Sequence, residues 1–126
     1  MAQTIHPYLL YEDGEAAIDF ATRAFGFRVV DRSVGGAGGL HAELELGSGR
    51  LYLGAPPSGF RNPAEVGRTS LVHVLVEDVD AHYERAQAAG ARIIEELNDL
   101  PIGHRRFGCV DPQGHEWYFA QEIKAP

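Results

Sequence analysis

Two segments of this 126-residue chain carry the same punctuation 65 residues apart. Glu12-Asp13 and Glu77-Asp78 each close an apolar stretch, and Ala16 and Ala81 follow at the same offset. Each segment then runs at helical spacing and stops at a glycine, Gly26 or Gly90, where the offset is 64, so one residue is lost in the second helix. Gly49 and Gly114 return to 65. Equal halves with matching punctuation indicate a duplicated unit.

Each half reads as strand, helix and three strands. Residues 4–11 form the first strand, with Pro7 arguing for an edge or a strand start. Asp13 is the expected N-cap of a helix whose stripe is Ala17, Ile18, Ala21, Ala24 and Phe25, and Gly26 ends it. Residues 27–32 are a strand. Residues 40–46 alternate strictly, placing His41, Glu43 and Glu45 on one face and Ala42, Leu44 and Leu46 on the other. A Gly-Ser-Gly turn leads into a fourth strand at 50–55. Residues 56–68 hold three prolines and two glycines without a period, which reads as a linker. The second half repeats the order: strand 70–76, helix 78–90 with Val79, Tyr83 and Ala86 inward, strand 91–97, strand 104–110, the Asp-Pro-Gln-Gly turn, and strand 115–123. The expected fold class is α+β, one domain over 1–126, with module 1 at 1–55, a linker at 56–69 and module 2 at 70–126.

Composition removes several classes of function. The net charge is −7 and the only basic run is Arg105-Arg106, so a nucleic-acid footprint is lacking. The apolar runs fall far short of the roughly 18 residues that span a bilayer, so no membrane role is expected. Residues 1–15 lack the basic and apolar regions of a signal peptide, so the expected compartment is cytoplasmic. Cys109 is the single cysteine, which excludes an internal disulfide, and within Phe107–Val110 it reads as a small core residue rather than a nucleophile.

Three segments in order, AAIDFATRAFGF (16–27), VEDVDAHYERAQAAGA (76–91) and GHRRFGCVDPQGHEWYF (103–119), resemble the vicinal oxygen chelate superfamily of glyoxalase I, bleomycin-resistance proteins, fosfomycin-resistance enzymes and extradiol dioxygenases. The resemblance covers essentially the whole chain. HPYLLYEDGEAAIDF and HAELELGSG look most like the PhnB-like and bleomycin-resistance-like branch. The resemblance implies the glyoxalase/bleomycin-resistance fold: two βαβββ modules packed edge to edge, their curled mixed sheets enclosing a cavity for ligand or metal. It also implies a homodimer, either side by side or with modules exchanged.

Metal-dependent members of the superfamily carry His on a first strand and Glu on a fourth strand, open to a chelating substrate on Zn, Ni, Mn or Fe. Here the first-strand positions fall on His6 and Leu71, with His73 two residues on and on the same face. The fourth-strand positions fall near Leu53 and at Tyr118, and neither is a carboxylate. Only His6 matches, so no standard metal site is expected; a divalent metal, if present, would engage His6 and His73. His6, His73, His41 and Glu43 form a conceivable non-standard set.

Arg105, after Gly103, occupies the superfamily's Gly-x-Arg position and can clamp a carboxylate or phosphate, or form a structural ion pair. Trp117 and Phe119 are expected to pack on the second helix, and Tyr52 and Tyr118 to wall the cavity. His115 and Glu116 alternate faces and are not an acid–base pair. His82 and His104 are expected at the surface. The run 35–40, Gly-rich before a strand, reads as a mobile hairpin turn and not a phosphate loop. The ligand-binding candidates are therefore His6, His41, Glu43, Tyr52, His73, Arg105 and Tyr118. The expected function is small-molecule binding of the bleomycin-resistance type by a homodimer without a cofactor. The alternative is a metal-dependent, glyoxalase- or epimerase-like lyase or isomerase with an atypical His/Glu site.

Overall fold

Residues 4–34, 38–57 and 59–123 are described by a computed structural model. The duplicated order folds as β1 (Tyr8–Leu10), α1 (Gly14–Phe25), β2 (Arg28–Val34), β3 (Leu40–Leu46) and β4 (Gly49–Ala55). A helical turn, α2 (Pro63–Val66), precedes β5 (Leu71–Leu75), α3 (Val79–Ala88), β6 (Arg92–Leu100), β7 (His104–Val110) and β8 (Glu116–Glu122). The strands form two four-stranded sheets, ordered β1-β4-β3-β2 and β5-β8-β7-β6. Only β1–β4 and β5–β8 run parallel, as a helical crossover from the first strand of each module requires.

The shared Glu-Asp punctuation is a helix start. Asp13 accepts a hydrogen bond from the Ala16 amide at 3.0 Å, and Asp78 accepts one from Ala81 at 3.1 Å. Gly26 ends α1 in the left-handed conformation, φ 80°. Each sheet turns one face to the helices. Leu9, Ala42, Leu44, Leu51 and Leu53 are buried there in the first sheet, and Phe107, Cys109, Trp117 and Phe119 in the second. Helices α1 and α3 pack on each other, and the Phe25 ring lies 4.7 Å from Trp117 and 4.9 Å from Phe119, so one core serves both modules. Trp117 and Phe119 are core residues, but not on the second helix alone as expected: both meet Phe25 of α1, and Phe119 also stacks on His82 of α3. Burial pushes the Cys109 thiol up to about 12, so it is an unreactive core residue.

A buried carboxylate ties the modules together. Asp111 Oδ2 accepts hydrogen bonds from the Tyr11 hydroxyl at 2.7 Å and the Trp117 indole at 3.1 Å. Its Oδ1 accepts from the amides of Gln113 and His115, fixing the Asp-Pro-Gln-Gly turn. The linker is pinned as well: Glu12 and Asn62 exchange backbone-to-side-chain hydrogen bonds of 2.8 and 2.7 Å.

Several expectations need correction. The first strand is confined to Tyr8–Leu10, although the Tyr52 amide bonds Pro7 and the Tyr11 amide bonds Gly54, extending the ladder by one residue at each end. The linker contains α2, started by Pro63 at a helix position that needs no amide proton. The β3–β4 connection spans Gly47-Ser48, whereas Asp111 pairs with His115 across three residues. One extra loop residue moves β8 to an offset of 66 from β4, so Gly114 is not the strand counterpart of Gly49. Part of the glycine run, 35–37, lies outside the described residues. Among the described residues no strand pairing joins the two sheets; within one chain the modules meet through α1 on α3 and through the hydrogen bonds around Asp111, not edge to edge.

Candidate functional site

The face of each sheet away from the helices is where side chains of chemical interest gather. In the first sheet, Tyr8 shares a 2.7 Å hydrogen bond between its hydroxyl and His41 Nδ1. His41 Nε2 lies 3.3 Å from Glu43 Oε2, and Arg50 approaches the other oxygen, Glu43 Oε1, at 3.6 Å. The His6 ring stacks on Tyr52 at 4.7 Å and 9°. Tyr8 and His41 meet the same Tyr52 ring at steeper angles, with centroids 5.9 and 5.5 Å away. Tyr8 lies across Gly54, where a Cβ would come within 3.0 Å of its ring. The result is an aromatic patch of two tyrosines and two histidines beside a carboxylate.

A β-bulge adds a second carboxylate. Arg28 pairs with Glu45 and Val29 with Leu44, but the next pair is Asp31 with Glu43, leaving Val30 as the extra residue. The bulge reverses the alternation after it. Asp31 therefore joins Glu43 and His41 on the outer face, and Arg32 turns to the helix side, where it pairs with Glu15 of α1. Ligand atoms of Asp31, His41 and Glu43 all lie within 4.8 Å of one another.

The second sheet repeats the frame with other residues. The first of two register shifts in β6–β7 falls between Ile93 and Glu95, turning Glu95 outward opposite Gly108; the second falls between Glu95 and Asn98. Arg106 donates two hydrogen bonds to Glu95, at 2.7 and 3.1 Å, and its guanidinium lies 5.1 Å from the Tyr118 ring centroid. The hydrogen bonds from Arg106 hold the Glu95 carboxyl below its ordinary range. Tyr118 covers Gly108, where a Cβ would sit 2.5 Å from the ring. His73 is the register partner of Tyr118 and lies 6.3 Å from His104. Burial, then the neighbouring His104 and Arg106, lower the His73 pKa.

The expected site residues thus divide. His6, His41, Glu43 and Tyr52 come together on the first sheet, and His73 and Tyr118 on the second. Arg105 is with neither group: it points to the helix side and pairs with Asp99 at 2.7 Å and Asp80 at 3.4 Å. The outward guanidinium is Arg106. A groove of about 670 Å³ between the β3–β4 hairpin and β5 brings Arg50 and His73 to one cleft. His115 bonds the Leu10 carbonyl and Glu116 pairs with Arg68, so they do not act as a pair. His82 and His104 are half-buried, not at the surface; His82 stacks on Phe119 and its Nδ1 is buried without a partner.

The register also revises the fourth-strand position of the first module. Tyr52, the partner of Tyr8, is the counterpart of Tyr118, the partner of His73, whereas Leu53 is buried in the core. The four positions where the resemblance implies metal ligands hold His6, Leu71, Tyr52 and Tyr118. His6 is stacked on one of the tyrosines and Leu71 has no donor, so this set does not fit a metal.

Sequence reasoning missed Tyr8, Asp31, Glu95 and Arg106. A signal for two of them was present: Val29-Val30-Asp31 and Ile93-Ile94-Glu95 are both apolar-apolar-acid runs, 64 residues apart.

The family model of the Glyoxalase/Bleomycin resistance protein/Dioxygenase superfamily matches residues 4–119. An uncharacterized protein of Mycobacterium tuberculosis (strain H37Rv) is 32% identical over 95% of this chain and 75% of its own length. The crystal structure of TioX from Micromonospora sp. ML1 is 35% identical with a TM-score of 0.73, covering 94% of this chain and 99% of that one. A mutant of glyoxalase I from Zea mays, 18% identical, superposes with a TM-score of 0.78 over 96% of this chain and 46% of its own.

Proposed function

Since the chain belongs to the glyoxalase/bleomycin resistance protein/dioxygenase superfamily, we propose that it is a cytoplasmic, homodimeric small-molecule-binding protein whose ligand rests on the outer face of the first sheet. The observation that carries this reading is the aromatic patch of His6, Tyr8, His41 and Tyr52 beside Glu43. Aromatic faces stack on planar ligands, and with neighbouring carboxylates they favour a cationic one. A planar aromatic compound with a positive charge is the chemistry that fits.

Support for the dimer comes from the two edge strands. Among the described residues β1 and β5 each have a single strand neighbour. On β5, Leu71 and Leu75 are exposed at 50% and 58%. Unpaired edges with apolar side chains favour association. Setting β1 of one chain beside β5 of its partner, with the reverse pairing generated by the two-fold, covers both edges. The first outer face of one chain then meets the second outer face of the other, which is the exchanged arrangement. The absence of pairing between sheets among the described residues of one chain favours this over the side-by-side form.

The test is a thermal-shift screen of planar cationic aromatics, followed by calorimetry on the hits with wild type and Tyr52→Ala. Binding that is lost in Tyr52→Ala, with the melting temperature of the free protein kept, supports the reading. Hits that bind Tyr52→Ala as tightly as wild type would overturn it. Light scattering of wild type and Leu71→Asp tests the dimer: a monomeric wild type would sink the exchanged arrangement.

A further inference from the structure

We propose that Asp31, His41 and Glu43 form a divalent-cation site on the outer face of the first sheet, at positions distinct from the first- and fourth-strand set. It neighbours the aromatic patch and shares His41 with it, but it needs no organic ligand.

The first argument is geometric. Two donors each about 2.1 Å from one ion lie at most about 4.2 Å apart. His41 Nε2 and Glu43 Oε2, at 3.3 Å, already meet that limit. The full set lies within 4.8 Å, and Asp31 is exposed, so a rotation of its side chain closes the remainder.

The second argument is that each ligand is already held for the task. The Tyr8 hydroxyl occupies His41 Nδ1 and leaves Nε2 toward Glu43, as an outer partner orients a metal-binding imidazole. Arg50 approaches Glu43 through Oε1, on the far side from the oxygen that faces His41. The bulge at Val30 delivers Asp31 to this face.

The third argument is charge. Asp31 and Glu43 are direct cross-strand partners, and like charges in that position repel. The arginines flanking Asp31 are committed elsewhere, Arg28 to Glu45 and Arg32 to Glu15. Among the described residues no cation pairs with Asp31. A divalent ion meets that need, and one imidazole with two carboxylates suits Zn, Mn, Fe(II) or Co(II). The second sheet shows the alternative: Arg106 stands where His41 does, and its guanidinium neutralises Glu95.

The experiment is calorimetric titration of tag-free, chelator-treated protein with Zn²⁺ alone, with Co²⁺ visible absorption as a second readout. Wild type takes up one ion per chain. Asp31→Asn, an exposed change compatible with folding, and His41→Ala each weaken uptake by about tenfold or more, and Tyr8→Phe by about tenfold. The Co²⁺ spectrum loses its imidazole-dependent bands in His41→Ala. No uptake by wild type would overturn the site. So would uptake that Asp31→Asn and His41→Ala leave unchanged, or uptake abolished by His6→Ala or His104→Ala but not by Asp31→Asn. The titration contains no organic ligand, so its failure leaves the aromatic-ligand reading standing, and failure of the Tyr52→Ala test leaves this one standing.

Discussion

The outer faces of the two sheets share a frame and differ in charge balance. Tyr8 and His73 occupy one position in it, Asp31 and Glu95 another, and His41 and Arg106 a third. Glu43 corresponds to Gly108, and Tyr52 to Tyr118. On the second sheet Glu95 is neutralised by a two-bond guanidinium, Glu116 is paired with Arg68, and the Tyr118 ring covers Gly108. On the first sheet Asp31, Glu43 and the His41 imidazole stand together, with Arg50 approaching Glu43 through Oε1. Duplication has preserved the bulge before Asp31 and Glu95, although the β6–β7 ladder shifts register a second time before Asn98; two positions, His41/Arg106 and Glu43/Gly108, set the difference in charge balance between the faces.

The most damaging way to break the comparison is at Asp111, whose counterpart in the first module, 65 residues earlier, is Leu46. Asp111→Leu would copy that module into the second. It leaves the Tyr11 hydroxyl and Trp117 indole buried without an acceptor. We expect a loss of about 3–5 kcal/mol in urea denaturation. A loss below about 1 kcal/mol would mean that water replaces the carboxylate.

Next come the two covered glycines. Gly108→Ala places a methyl group 2.5 Å from the Tyr118 ring, which Arg106 and the β8 strand hold in place. Gly54→Ala meets Tyr8 at 3.0 Å, and Tyr8 is half exposed on an edge strand. Overpacking costs about 1–3 kcal/mol where neighbours cannot yield, so Gly108→Ala is expected to cost more than Gly54→Ala in the same denaturation series. Equal losses would show that the two tyrosines are equally constrained.

What the sequence made legible follows from which signals are local. Strict alternation in 40–46 was enough to put His41 and Glu43 on one face, and the Glu-Asp caps with their glycine stops were enough to show the duplication. Asp31 was hidden because a bulge reverses parity. Nothing in Val29-Val30 alone says which valine is extra; only the matching Ile93-Ile94 in the other module hints at it. The sequence motif singles out Arg105 rather than Arg106 for a similar reason. The motif names a position, but the register of β7 against β8 decides which guanidinium faces outward. Pairing of the sheets within or between chains depends on tertiary packing of α1 on α3, which no single segment encodes.

A smaller effect sharpens the contrast in charge. Arg106→Met removes the guanidinium and leaves Glu95 with the Asn98 amide as its remaining partner. Glu95 has a lowered folded-state pKa, so its stabilising contribution is present above the ordinary carboxylate value, about 4.3, and is lost as pH falls through the folded value. In Arg106→Met the Glu95 carboxyl, followed by NMR, should titrate nearer its ordinary value. The pH dependence of stability in that window should flatten, and the change near neutral pH should stay within about 1 kcal/mol for so accessible a pair. An unmoved Glu95 titration would mean that the Asn98 hydrogen bond, not the guanidinium, holds it low.

The smallest effect lies on the helix side, at His82, whose counterpart in α1 is the buried Ala17. His82 stacks on Phe119, and burial lowers its pKa, aided by Arg85 and opposed by Asp78. A histidine lowered in the folded state leaves stability intact above its unfolded value, about 6.5. Below that the unfolded chain takes up the proton first, so stability falls until the folded value is passed. His73 acts with the same sign, so the slope has two sources. His82→Ala, which copies the first module, should reduce the loss of melting temperature between about pH 8 and pH 5 without abolishing it. Adding His73→Tyr, the residue at Tyr8's place, should reduce it further. A slope untouched by His82→Ala would mean that the imidazole protonates within the folded helix pair as readily as in the unfolded chain, and that its buried Nδ1 finds a water.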